Sequence, residues 1–186
     1  LEIIGVLGFG VFASPETGWP SVAAFLFIYG VGVGLATAQL TGVIMVDVPA
    51  QEIGQASGSQ STVRQVGSAL GIAVIGTMLF TGTELSLSNR LDDAGVAASQ
   101  RDQVVSAVVN SAGGAIPELS DSLQAMSVPA TVADTVEFES GQAFTDGARF
   151  ASYAAGAFLL LGLFSTLRLG RSASQVMADP ASNEAE

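Results

Sequence analysis

The sequence predicts an all-α membrane protein. Hydrophobic residues make up 49% of the 186 positions and charged residues only 12%, about half the charged share of a soluble domain. The mean hydropathy of +0.52 points the same way. The apolar residues are gathered into long runs with almost no charge, as a helix crossing hydrocarbon requires.

Composition also excludes function classes. Cysteine is absent, so there is no disulfide framework and no thiolate metal site. Histidine is absent, which removes the commonest general base and metal ligand. No nucleophile stands with a plausible base, so the chain is not expected to be an enzyme, nor to hold a metal or cofactor. All six basic residues are arginine, and most of the acid behind the net charge of −11 lies between Glu84 and Asp146. With no basic patch to neutralise phosphates, a nucleic-acid partner is not expected.

The first run, "LEIIGVLGFGVFA" (Leu1 to Ala13), is shorter than the roughly 20 residues that span a bilayer. It carries Glu2 and lacks the basic start of a signal peptide. It reads as the outer part of a helix that began upstream, in a chain that is the C-terminal piece of something longer. "SPETGWP" follows as a turn, with Trp19 suited to a membrane interface and Pro20 to a first helical turn. The second run, Ser21 to Val46, has no charge and spans with some tilt; Asp47 and Pro49 end it. The third is "VGSALGIAVIGTMLFTG", Val66 to Gly82. Extended back one turn, it places Arg64 just inside the helix.

Residues 83–147 are the most polar stretch and read as a long loop with short amphipathic helices. "AASQRDQVVSAVVNSAG" puts Val104, Val105, Val108 and Val109 on one face, and "TVADTVEFESGQAF" is a second candidate. The last span lies between Arg149 and Arg168, 19 positions apart, about 28 Å of helix against about 30 Å of hydrocarbon. Spans are therefore expected near 1–13, 21–46, 62–82 and 148–168, and residues 170–186 read as a disordered cytoplasmic tail. Arg64, Arg168 and Arg171 fall on one side, which the positive-inside rule makes cytoplasmic. The 83–147 loop is then extracytoplasmic.

Several constellations lie on these spans. Gly30, Gly34, Ala38 and Gly42 fall every fourth residue, and Gly67 and Gly71 repeat the spacing. Such rows let helix backbones approach closely, so helix packing is expected there. "GVGVG" is not a nucleotide-binding loop, because it lies inside an uncharged span without strand–turn–helix context. Intramembrane acids commonly mark proton coupling; Glu2 qualifies if its helix continues upstream. Gln39 is a polar residue within a span, suited to lining a cavity or bonding a neighbour.

The stretch "DVPAQEIGQASGSQSTVRQVGSALG" (Asp47 to Gly71) is the most specific. Val48-Pro49, Glu52, Gly54, Ala56-Ser57-Gly58 and Arg64-Gln65, then Gly67 and Gly71, resemble the segment that opens the penultimate helix in fourteen-helix drug:proton antiporters of the major facilitator superfamily, the EmrB/QacA type. The position often basic in relatives is Ile53 here. The resemblance covers essentially the whole chain, as the last four of fourteen helices with a long external loop before the last one. It implies a C-terminal part of a proton-coupled multidrug efflux transporter in the cell membrane. Its implied partners are the N-terminal helices of the same transporter, an amphiphilic substrate, protons and lipid. Asp47, Glu52, Arg64 and Gln65 then form the cytoplasmic interface. Arg64 serves there as an interface anchor or as one half of a gate charge pair with Asp47 or Glu52. From another class, a small helical membrane scaffold or accessory subunit fits the same composition.

Overall fold

The computed structural model describes residues 1–46 and 48–178, with only the backbone of Met45 and of residues 168–178. The described residues hold helices and no strand. The helices are α1 (Glu2–Phe12), α2 (Trp19–Met45), α3 (Ile53–Asp93), α4 (Ala98–Asn110), α5 (Leu119–Ala125) and α6 (Ala130–Ala178), with a 3₁₀ turn at Ile116–Glu118. The all-α membrane class holds: α2, α3 and α6 are each long and apolar enough to cross a bilayer.

α1 ends where Thr17 closes the turn, its hydroxyl donating to the Phe12 carbonyl at 2.9 Å while accepting from the Ser14 N–H at 2.8 Å. α2 starts at Trp19 with Pro20 in its first turn, where the missing N–H costs nothing. Trp19 is exposed, as suits an aromatic at the membrane interface.

Two helices run far past their expected ends. α3 has 41 residues and α6 has 49, about 60 and 75 Å at 1.5 Å per residue, against about 30 Å of hydrocarbon. The third span, expected from near residue 62, is therefore helical from Ile53. Likewise, the loop expected over 83–147 begins as eleven further residues of α3 and ends as eighteen residues of α6. On the far side α6 continues to Ala178, through part of the stretch expected as a disordered tail; residues 179–186 lie outside the described residues.

The real stop of α3 is Gly95, at φ +75°. Its N–H bonds the Asp92 carbonyl and the Val96 N–H bonds the Leu91 carbonyl, both at 2.9 Å. This is the Schellman closure, which needs a left-handed residue that glycine adopts without a Cβ penalty.

The outer ends of α3 and α6, with α4 and α5, form a cap with its own core. Leu87, Leu91, Val104, Val108, Leu119, Val136 and Ala143 are buried together. Val104 and Val108 belong to the face expected from valine spacing. The membrane part has a different logic. α2 packs on α1, α1 on α6 and α6 on α3, whereas α2 and α3 scarcely touch. The helices thus stand in the order α2, α1, α6, α3, with α2 and α3 flanking a groove. Phe27, Val43, Ile72 and Leu161 are among many apolar residues facing outward, which hydrocarbon tolerates and water does not.

Candidate functional site

Three places in the fold gather polar groups. The first surrounds Glu2. Its backbone and stem lie over Gly32: a Cβ on that glycine would stand 2.6 Å from Glu2 N and 2.7 Å from Glu2 Cγ. Glu2 is half-buried, and its carboxylate makes no hydrogen bond or ion pair with another described residue. It lines a cavity of about 550 Å³ between α1, α2 and α6, walled by Leu35, Phe158, Leu159 and Leu163.

The second place is the groove between α2 and α3. Gln60 Nε2 donates to Thr41 Oγ1 at 3.4 Å, joining the two helices. Thr37, Leu40 and Ile44 of α2 face Ala56, Val63 and Arg64 of α3 across a cavity of about 550 Å³. Arg64 is exposed and makes no ion pair with another described residue. Glu52 is the N-cap of α3, twelve residues before Arg64 and so about 18 Å away along the helix. The Glu52–Arg64 pair considered from sequence is therefore out of reach, because the connecting segment is helical. Asp47 lies outside the described residues. Gln65 and Gln39 are both exposed.

Deeper in the same groove, Gly67 and Gly71 line an apolar cavity of about 440 Å³ with Tyr29, Leu70, Val74 and Phe158. The expected packing of the small-residue rows is not formed among the described residues. Ala38 is exposed, and nothing in the described structure comes within 4 Å of a Cβ built on Gly30, Gly34, Gly42, Gly67 or Gly71. The close approaches fall on other glycines. A Cβ built on Gly5 would stand 2.7 Å from the Tyr29 backbone N, one on Gly156 would run into Leu7, and one on Gly147 into Thr83 and the Leu79 carbonyl. A spacing of four defines a face but not the neighbour; α1 packs against the Tyr29–Gly32 face, and the rows point elsewhere.

The third place had no signal in the sequence. At the outer border of the spans, Arg90 of α3 donates to Glu139 Oε2 at 2.8 Å and to Asp146 Oδ2 at 2.9 Å on α6. Ser86 donates to the same Asp146 oxygen at 3.0 Å. The hydrogen bond to Glu139 raises the Arg90 guanidinium above its ordinary value; burial opposes this and Asp146 adds to it. Since arginine is charged at all ordinary pH, the consequence is mechanical: a fixed cation ties the two long helices together within the cap.

The fold thus defines a class, an all-α membrane protein with a helical cap on one end of its spans. Comparison with known proteins is more particular. The chain is 35% identical over 98 residues to the multidrug resistance protein Stp of Mycobacterium tuberculosis (strains CDC 1551 / Oshkosh and H37Rv), a match covering 50% of this chain and 18% of Stp. It is 36% identical over 78 residues to the probable actinorhodin transporter of Streptomyces coelicolor, covering 42% and 13%. The chain therefore spans less than a fifth of the length of these relatives. No family model matches it, and no solved structure matches it.

Proposed function

We propose that this chain is the C-terminal part of a drug efflux transporter of the major facilitator superfamily, of the fourteen-helix drug:proton antiporter type. The observation that carries the reading is the open row of spans: α2 and α3 flank an apolar groove instead of closing on each other. A carrier working by alternating access rocks one helix bundle against another around a site near the midplane, and an open-faced half fits that mode. The names of the relatives support the substrate class, an amphiphilic small molecule. The remaining partners are the transporter's other helices, protons and the lipid of the cell membrane, and no covalent chemistry is involved.

The test is energy-dependent efflux of a cationic dye from a pump-deficient host. The full-length gene should confer it, an uncoupler should abolish it, and the 186-residue chain alone should confer none. Absence of efflux from the full-length protein would sink the transporter reading.

The same reading puts the cap outside the cell, because Arg64 and the arginines beyond the last span sit at the other end. Ser106 is exposed on α4. A cysteine there should react with an impermeant thiol reagent on intact cells; labelling only after lysis would reverse the orientation.

A further inference from the structure

We propose that Arg64, with Ser59 and Gln60, binds the phosphate of an anionic phospholipid at the inner mouth of the α2–α3 groove, while one acyl chain of that lipid lies along the groove. The level follows from the helices. A Cβ on Gly147 would run into Thr83, so Thr83 stands beside the start of the last span at Arg149. Arg64 is 19 positions before Thr83, about 28 Å down α3 against about 30 Å of hydrocarbon. On α2, Thr41 is 22 positions from the interfacial Trp19, about 33 Å. Both measures put the cavity lined by Thr41, Ser59, Gln60 and Arg64 at the headgroup border opposite the cap.

The groups there suit a phosphate and leave a cationic headgroup without a partner. Arg64 and the Ser59 hydroxyl make no hydrogen bond or ion pair with another described residue. Gln60 donates one amide hydrogen to Thr41 at 3.4 Å and has a second. Arginine meets phosphate through a planar fork of N–H donors, and basic pockets between spans on the cytoplasmic side take anionic headgroups. α2 carries no acid, and α3 carries none from Ile53 to Thr83. Glu52 is about 18 Å from Arg64 along the helix. The ammonium of a zwitterionic lipid would therefore meet no carboxylate among the described residues lining the cavity, and a lipid of net negative charge is selected.

The walls suit a lipid and not a free anion. Leu40, Ile44 and Val63 line the same cavity of about 550 Å³, and a bare phosphate would leave them facing water. Beyond Arg64 the groove runs on past Gly67 and Gly71, with nothing described within 4 Å of either Cβ position. It opens there into the apolar cavity of about 440 Å³ that includes Leu70 and Val74. From Arg64 to Val74 is about 15 Å of helix, half of the hydrocarbon and so the depth of one leaflet. Polar and then apolar walls thus follow one another in the order of headgroup and chain.

The choice of the cytoplasmic leaflet rests on the orientation proposed above; the binding itself does not, and is read separately. The full-length protein in detergent is titrated with a fluorescent phosphatidylglycerol and with a phosphatidylcholine of the same acyl chains. Wild type should bind phosphatidylglycerol at least about fivefold tighter. Arg64→Gln should weaken it to the phosphatidylcholine level, and Arg64→Lys should stay within about threefold of wild type. Inorganic phosphate in large excess should not displace the lipid; displacement would give the site to the free anion and overturn the proposal. A phosphatidylglycerol with a diazirine on its acyl chain should crosslink wild type on α3 between Gly67 and Val74, an arm that needs no variant to fold. Equal binding of the two lipids by wild type, or unchanged binding by Arg64→Gln, overturns the proposal. Crosslinks that avoid α3 overturn it too, because another helix then covers the groove. Selective lipid binding by a protein without efflux would keep the site and remove the transporter reading; efflux without selective binding would do the reverse.

Discussion

Replacing Gly147 with leucine is expected to prevent α3 and α6 from packing and to reduce monodisperse full-length protein to less than about a tenth of wild type. A Cβ at this position would stand 2.7 Å from the Leu79 carbonyl oxygen and 2.9 Å from the Thr83 N, and closer still to Thr83 Oγ1. The first two are backbone atoms of α3 and cannot rotate aside. Thr83 is fully buried, with its hydroxyl already donating to the Leu79 carbonyl. The helices must therefore part. Overpacking of side chains costs about 1–3 kcal/mol, and a backbone clash lies at or above the top of that range. Parting the helices also stretches the bonds from Ser86 and Arg90 to Asp146 just above the crossing. Arg90 and Asp146 are 34% and 36% exposed in their ion pair, so its share is closer to about 1 kcal/mol than to that of a fully buried pair. Gly141 is the control, on the same helix with nothing within 4 Å of its Cβ position. Gly141→Leu should leave the yield near wild type. Size-exclusion profiles of the two variants decide the matter: equal yields would mean that the crossing at Gly147 does not hold the helices together.

The sequence made some of this legible and hid the rest for physical reasons. Uncharged length located α2 and the cores of α3 and α6, because burial in lipid leaves composition no freedom. Pro20 and the valine face of α4 were legible because each is a local rule, one about a missing N–H and one about 3.6-residue periodicity. Helix ends were not. The change from apolar to polar at Thr83 marks where lipid gives way, not where a helix stops; α3 ends only at Gly95, where the backbone turns left-handed. The third span was expected from near residue 62, yet Gly54 and Gly58 already sit inside α3, since a glycine in a helix costs only about 1 kcal/mol relative to alanine. The Arg90 cluster joins residues 49 and 56 positions apart, and no local pattern announces such a pairing. Glu2 was visible as an acid in an apolar run, but the cavity it lines between α1, α2 and α6 became visible only in the fold.

The cap should be the first part of the molecule to open when its core is cut, and Leu87→Ala is the sharpest cut available. Leu87 is fully buried and belongs to the cluster formed by Leu91, Val104, Val108, Leu119, Val136 and Ala143. Those seven residues are the apolar interior that holds α4 and α5 on the outer ends of α3 and α6. Lipid cannot substitute for it, because this part of the chain carries most of the acid and lies beyond the hydrocarbon. Truncating a buried leucine to alanine costs about 2–5 kcal/mol, and so small a core has few other contacts to absorb the cavity. The spans should remain intact, since Leu87 stands outside them. Trypsin reads this difference cleanly. The chain has no lysine, and Arg90 and Arg101 are the cap's only arginines between Thr83 and Asp146; both are ion-paired in the folded cap. When cleavage follows the open population, about 2 kcal/mol or more raises it about thirtyfold or more. Full-length protein carrying Leu87→Ala should thus be nicked at Arg101 far faster than wild type, with its membrane part still monodisperse. Leu85→Ala, at an exposed position on the same helix, should be nicked at the wild-type rate. Wild-type resistance in Leu87→Ala would mean that the cap is held by its polar bonds to α6 and not by its core.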